Sequence, residues 1–216
     1  MRKYSSFVLL ISFFIFINGK AQTTSDSIQL NKQYYSIEEA LKNPENVYRL
    51  DLSNQNLQLP DTIWSSFINL QYLSLKNDHL KQIPTGVGYL KNLKVLDLSG
   101  NDFKVLPSTF SNLSELQELF LNDDQYFKFD KNISVLSTLP NLKSLHIEND
   151  GLKSLPKNMY KLIYLESLYL NNNQFKKVPE VLKELKNLEY LDFHDNKFMS
   201  PMKGSQEKNF GFKIRF

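Results

Sequence analysis

Residues 93–115 read LKVLDLSGNDFKVLPSTFSNLSE, and residues 70–92 read LQYLSLKNDHLKQIPTGVGYLKN. The two stretches superimpose over 23 residues without a gap. The same register begins at Val47, Leu70, Leu93, Leu116, Leu142, Leu165 and Leu188, with spacings of 23, 23, 23, 26, 23 and 23 residues. The shared pattern is L-x-x-L-x-L-x-x-N/D-x-L/F-x-x-L/V-P-x-x-I/V/F-x-x-L-x-N. A period of this length defines a solenoid, in which each repeat is too small to bury its own apolar face and stacks on its neighbours.

Each repeat follows one plan. The segment x-L-x-L-x alternates with period two, which predicts a short strand with Leu inward and the intervening residues outward. Tyr72-Leu73-Ser74-Leu75-Lys76 and Val95-Leu96-Asp97-Leu98-Ser99 are examples. A polar residue then turns the chain: Gln55, Asp78, Asn101, Asp124, Asp150, Asn173 and Asn196. Asn at this point donates and accepts, whereas an ionised Asp only accepts, so the ladder between coils is expected to be imperfect at the three Asp positions. A Leu-Pro-like step follows at Pro60, Pro84, Pro107, Pro156 and Pro179. Proline lacks an N–H and fixes φ, so this side of the coil carries no sheet. The closing i, i+3 pair, as in Val87-Gly88-Tyr89-Leu90, suits one helical or 3-10 turn.

These repeats resemble the leucine-rich repeat family, in its 23-residue subclass with the Leu-Pro step. Residues 35–52, YSIEEALKNPENVYRLDL, also resemble the N-terminal cap of exported bacterial, Bacteroidetes-like members. The resemblance implies an α/β solenoid, a right-handed horseshoe. It has a parallel β-sheet on the concave face and short helical or 3-10 turns on the convex side. Six full repeats plus one partial repeat occupy residues 47–199. Members of the family mostly bind proteins, and sometimes glycans or peptides, through the concave face. Two repeats depart from the pattern. The first is one residue short before Pro60, and the one starting at Leu116 has three extra residues and no Leu-Pro step. Residues 125–130, QYFKFD, are therefore expected to bulge, either projecting as a second site or with Phe127 and Phe129 taking the vacant core positions.

The ends read differently. Arg2 and Lys3 precede an 11-residue apolar run, Phe7 to Ile17, and Gly19-Lys20-Ala21 offers small residues before Gln22. This is the pattern of a signal peptide over residues 1–21. Eleven residues reach only about 16 Å as helix, against about 30 Å of hydrocarbon. No stable membrane span is expected after signal removal. Residues 22–34 are polar and predict a flexible leader. Residues 35–46 predict a helical cap, with Ser36 as N-cap, Glu39 as its reciprocal partner, and Ile37, Ala40 and Leu41 on one apolar face. Residues 200–216 predict a C-terminal cap, in which the apolar end 210–216 returns as a strand.

Composition narrows the function. The formal charge is +3, but Arg2, Lys3 and Lys20 leave with the signal, so the 26 basic residues become 23 against 23 acidic. That balance argues against a nucleic-acid partner. There is no cysteine, hence no disulfide and no lipid-attachable thiol. Together with abundant Lys, Asn, Ile and Phe, this points to a bacterial, exported protein that is periplasmic, cell-surface or secreted. His79, His146 and His194 lie in different repeats without ligand-like spacing. No phosphate loop or nucleophile motif is present, so no catalytic residue, metal or cofactor is expected. Asn112-Leu113-Ser114 and Asn132-Ile133-Ser134 fit the glycosylation acceptor pattern, which has meaning only in a eukaryotic secretory pathway.

The outward strand residues form three columns. The central one is Asp51, Ser74, Asp97, Phe120, His146, Tyr169 and Asp192. Tyr72, Glu118 and Tyr190 belong to the preceding column, and Glu148 to the following one. Aromatic residues are favoured at binding hot spots. The acids Asp51, Asp97, Glu118, Glu148 and Asp192 collect on the same face. Lys81, Lys104, Lys153, Lys176 and Lys177 fall between turn and proline, away from it. The candidate partner-binding residues are Asp51, Tyr72, Asp97, Glu118, Phe120, His146, Glu148, Tyr169, Tyr190 and Asp192. The expected function is a non-enzymatic interaction module for a protein or peptide with basic and aromatic groups. The alternatives are glycan or surface adhesion, and a structural spacer that self-associates.

Overall fold

A computed structural model of the chain describes residues 31–56, 58–198 and 210–216. The expected signal peptide, most of the leader and residues 200–209 of the C-terminal cap lie outside the described residues. The described residues form one open sheet: β1 (Gln33–Tyr34), β2 (Arg49–Asp51), β3 (Tyr72–Ser74), β4 (Val95–Asp97), β5 (Glu118–Phe120), β6 (Ser144–His146), β7 (Ser167–Tyr169), β8 (Tyr190–Asp192) and β9 (Lys213–Arg215). Neighbours in sequence are neighbours in space, and every pair is parallel. The fold is the expected solenoid.

The register follows the repeat. Leu50, Leu73, Leu96, Leu119, Leu145, Leu168 and Leu191 pair in succession and are fully buried. The 26-residue repeat keeps this register, because Leu119 still pairs with Leu145. Its extra residues are absorbed elsewhere in the coil. Opposite the sheet, five 3-10 turns start directly after the prolines: Asp61–Ser66, Thr85–Tyr89, Ser108–Asn112, Lys157–Lys161 and Glu180–Glu184. Each proline occupies the N-cap, where its missing N–H and its fixed φ cost nothing.

Hydrogen-bonded side chains tie coil to coil. Asn101 Nδ2 donates to the Leu75 and Leu98 carbonyls, and its Oδ1 accepts from the N–H groups of Asp78 and Leu80. Asn173 repeats the arrangement on Ile147, Leu170, Asp150 and Leu152. Asp124 and Asp150 accept through Oδ1, but the Oδ2 of each is buried without a partner. Of the three Asp positions expected to weaken the ladder, Asp124 and Asp150 leave an oxygen orphaned, while Asp78 accepts from the Gln55 and Asn56 N–H groups and is not among the orphaned groups. Burial pushes the Asp124 carboxyl up to about 8 and that of Asp150 up to about 7, with neighbouring carboxylates adding to both. The residue just before this column has positive φ in every coil: Asn54, Asn77, Gly100, Asp123, Asn149, Asn172 and Asp195. Only Gly, Asn and Asp occur there, the residues that tolerate the left-handed region.

The irregular repeat builds a helix in place of a 3-10 turn, α2 (Phe129–Leu136). Phe129 is buried, and Phe127 is partly buried with its ring edge-on to Phe103 at 5.7 Å. The two rings fill the space that the missing Leu-Pro step leaves. Asn132 is 1% exposed and stitches the coils, accepting from Leu106 N–H and donating to the Lys104 and Lys128 carbonyls. Its amide is thus committed inside the protein, which removes it as a glycosylation acceptor.

The N-terminal cap differs from expectation in three respects. Gln33 and Tyr34 sit in the stretch read as a leader, yet they form β1 and pair with Arg49 and Leu50. The strand satisfies the backbone edge of β2, which would otherwise be open. Helix α1 (Ile37–Ala40) begins at Ser36 as expected, whose Oγ accepts from Glu39 N–H at 3.3 Å. The expected reciprocal contact from Glu39 is replaced: Glu39 pairs with Lys32, and the Ser36 hydroxyl donates to the Glu38 carboxylate. Leu41 is 39% exposed, so the apolar face of the cap reduces to Ile37 and Ala40.

Candidate functional site

The outward side chains of β2–β8 form one face. Strands about 4.8 Å apart bring side chains of one column into van der Waals contact. Flat rings in one column can therefore stack. Phe120 and His146 lie with centroids 4.0 Å apart and planes 20° from parallel. His146 and Tyr169 follow at 4.1 Å and 5°. Tyr190 belongs to the preceding column, so it meets Tyr169 diagonally, at 5.7 Å and 57°. The result is an unbroken aromatic row across β5, β6, β7 and β8.

Two carboxylates hold the middle ring. His146 is 8% exposed, with Nε2 2.9 Å from Glu118 Oε1 and Nδ1 3.5 Å from Glu148 Oε2. Glu148 also accepts from Asn122 Nδ2 and donates its N–H to Asn122 Oδ1. The hydrogen bond from His146 is the main reason that the Glu148 carboxyl is held below the usual carboxylate range. Phe120, Tyr169 and Tyr190 remain half-buried, each with a free flank toward solvent. Six of the candidate residues thus converge: Glu118, Phe120, His146, Glu148, Tyr169 and Tyr190. Rigid rings flanked by fixed carboxylates can take up flat apolar groups and cations together.

The other four candidates lie apart from this cluster or are occupied. Tyr72 sits under the Arg49 guanidinium, 4.2 Å from its ring centroid. Gln33 bridges Asp51 and Arg49, and Asp51 also accepts from Ser53. Asp97 accepts from Ser99 N–H. Asp192 is 4% exposed and is met by Arg215 Nη1 at 3.1 Å, by His194 Nδ1 and by the Tyr190 hydroxyl. Its carboxylate anchors β9 to the solenoid. Arg49 at one end and Arg215 at the other therefore bracket the acidic centre of the face.

Arg215 and Gln33 were not among the residues singled out from sequence. Arg215 had a signal, because Lys213, Ile214 and Arg215 follow Tyr190, Leu191 and Asp192 by 23 residues and pair with them. Gln33 had none, since its partner Arg49 lies 16 residues away, off the period. Among the described residues no cluster of His, Cys, Asp or Glu is disposed to hold a metal ion. Among them, too, no helix is long and apolar enough to cross a membrane.

Comparison with known proteins agrees with the architecture. A family model described as a leucine-rich repeat region matches residues 46–139, and a second, a leucine rich repeat, matches residues 140–198. No curated protein matches. A solved chain of the TLR13–ssRNA13 complex superimposes with a TM-score of 0.67 at 26% identity, over 85% of this chain and 26% of that one. A chain of the Toll–Spatzle complex from Drosophila superimposes at 0.61 and 19% identity, over 69% of this chain and 20% of that one. An internalin, InlF, from Listeria monocytogenes superimposes at 0.56 and 24% identity, over 78% of this chain and 47% of that one. The chain spans about a fifth to about half of the length of these solved chains.

Proposed function

The chain belongs to the leucine-rich repeat family, and from this premise we propose that it is a non-enzymatic, exported interaction module. It binds a protein or peptide on the concave face of the sheet. One observation carries the reading: the row Phe120–His146–Tyr169–Tyr190, fixed by Glu118 and Glu148. Pre-ordered aromatic area loses little side-chain entropy on binding, which is why it concentrates affinity. The flanking carboxylates favour a ligand that presents Arg or Lys beside an aromatic or aliphatic group.

The signal-like N-terminus supports export and, with the lack of cysteine, a bacterial envelope or secreted location. Solved relatives of the fold include a complex of Toll with Spatzle and one of TLR13 with ssRNA13. The second complex pairs a chain of this fold with RNA, so the expectation of no nucleic-acid partner is not carried forward; the acidic concave face favours a basic ligand.

The test is selection from a random peptide library on the wild-type chain, followed by affinity measurements on a Phe120→Ala/Tyr169→Ala variant. Enriched peptides carrying basic and aromatic residues that bind the variant at least tenfold more weakly support the proposal. Undiminished binding to the folded variant overturns it. A glycan array run in parallel separates the adhesion alternative, which requires saccharide hits that the same variant loses.

A further inference from the structure

The flank between the turn and the convex side carries a second pattern, independent of the concave face. Lys81, Lys104, Lys128, Lys153, Lys176 and Lys177 occupy it in five successive coils. Backbone hydrogen bonds join these segments at three of the four junctions, between the coils of Lys81 and Lys104, of Lys104 and Lys128, and of Lys153 and Lys176. Lys128 N–H donates to the Lys104 carbonyl at 3.0 Å, Asp102 N–H to Leu80, and Gln174 N–H to Leu152. All six lysines are exposed, and among the described residues none of them forms an ion pair. The lysines that do pair, Lys32, Lys143 and Lys183, lie elsewhere.

The row passes a cavity of about 590 Å³ lined by Lys81, Lys104, Gln82, Asp102, Val105 and Tyr126. That volume falls within the range of about 300–1,000 Å³ usual for small-ligand pockets. The cavity lies where the irregular repeat departs from the others. Of the three rings in that segment, Phe127 and Phe129 turn into the core, while Tyr126 stays 55% exposed beside Val105 at 51%. An exposed ring, an exposed apolar side chain, an amide and two ammonium groups without an ion pair thus share one concavity with the Asp102 carboxylate, whose Oδ2 lies 3.6 Å from His79 Nδ1.

We propose that this flank binds a linear anionic polysaccharide, with Tyr126 stacking on one sugar ring and the lysines pairing with carboxylates or sulfates on successive sugars. Where backbone hydrogen bonds join neighbouring segments, successive lysine backbones are spaced by about the 4.8 Å of hydrogen-bonded strands. A polymer with one charge per sugar ring places its charges at nearly that step. Among the described residues Tyr126 is the one aromatic side chain lining the cavity, so successive nucleic-acid bases meet no ladder of rings on which to stack. The flank holds no arginine, so the planar fork that recognises phosphate bidentately is also missing. Flexible lysines serve as point charges along a polymer.

The experiment titrates the chain with polygalacturonate, dextran sulfate, neutral dextran and poly(U) at low and at moderate ionic strength. Saturable binding to at least one acidic polysaccharide, tighter than to poly(U) and absent for dextran, is the expected result. A Lys81→Gln/Lys104→Gln/Lys128→Gln/Lys153→Gln variant should bind at least tenfold more weakly with a shallower salt dependence. Tyr126→Ala should weaken binding threefold or more, and Phe120→Ala/Tyr169→Ala should leave it within twofold. No saturable binding to either polyanion at low ionic strength overturns the proposal. So do full binding by the folded quadruple variant and tighter binding of poly(U). Because the flank and the concave face share no residue, failure of one reading leaves the other standing.

Discussion

Replacing Asp124 by Asn should stabilise the protein, and the gain should grow with pH. Asp124 is 2% exposed; its Oδ1 accepts from Asn101 N–H, and its Oδ2 is buried with no partner. Burial raises its carboxyl from 3.8 to about 8, with Asp150, Asp123 and Asp97 adding repulsion. The native state therefore holds a proton that the unfolded chain releases above pH 4. Stability from this group is fully present below the unfolded value. It falls by about 1.4 kcal/mol per pH unit as pH rises, until the native carboxyl ionises near pH 8. At pH 7 the loss integrates to about 4 kcal/mol. Asn removes this loss and supplies the donor that Asn101 and Asn173 supply in their own coils. The expected gain is about 2–4 kcal/mol at pH 7, near zero at pH 4. Urea denaturation between pH 4 and 8, followed by circular dichroism and by fluorescence of Trp64, measures it. Coincident transitions license a single free energy. A variant no more stable than wild type at pH 7, or a gain that does not grow with pH, refutes the reasoning.

Other substitutions probe other parts of the stack. Asn132→Ala strands Leu106 N–H and the Lys104 and Lys128 carbonyls, and should cost about 2–4 kcal/mol in chemical denaturation. A loss under about 0.5 kcal/mol would show that water replaces the amide. Gly88→Ala places a Cβ 2.5 Å from the Thr109 carbonyl oxygen, and should lower the urea midpoint by an amount equivalent to roughly 1–3 kcal/mol. Arg215→Ala removes the cation beside the buried Asp192 carboxylate. It should speed hydrogen exchange in β9 and in the last coil selectively, with little change in β2–β5.

The period made most of the fold legible. Once Leu50, Leu73 and Leu96 are read as one column, the strands and their outward faces follow from the period-two alternation, while the parallel sheet is what the family resemblance implied. What escaped the sequence lay off the period. β1 pairs 16 residues from its partner, so no repeat announces it. Helix α2 replaces a 3-10 turn because the extra residues and missing proline allow a longer turn, which the insertion announced without specifying its form. The candidate face was legible as a set of residues but not as a cluster. Ring stacking through His146 depends on side-chain rotamers, which the column order permits without fixing. Asp192 looked like a free acid and proves to be the anchor for β9, because Arg215 continues the 23-residue register across the C-terminal cap.

The central claim is that the aromatic row on β5–β8 is where a partner docks. Photo-cross-linking tests it most directly. A photoreactive phenylalanine is placed at Tyr169 in one chain and at Tyr89, which is 57% exposed on the opposite side, in another. Each is irradiated with the peptides selected on the wild type. Adducts at position 169 and none at position 89 are the expected result. Adducts at 89 with none at 169 would contradict it.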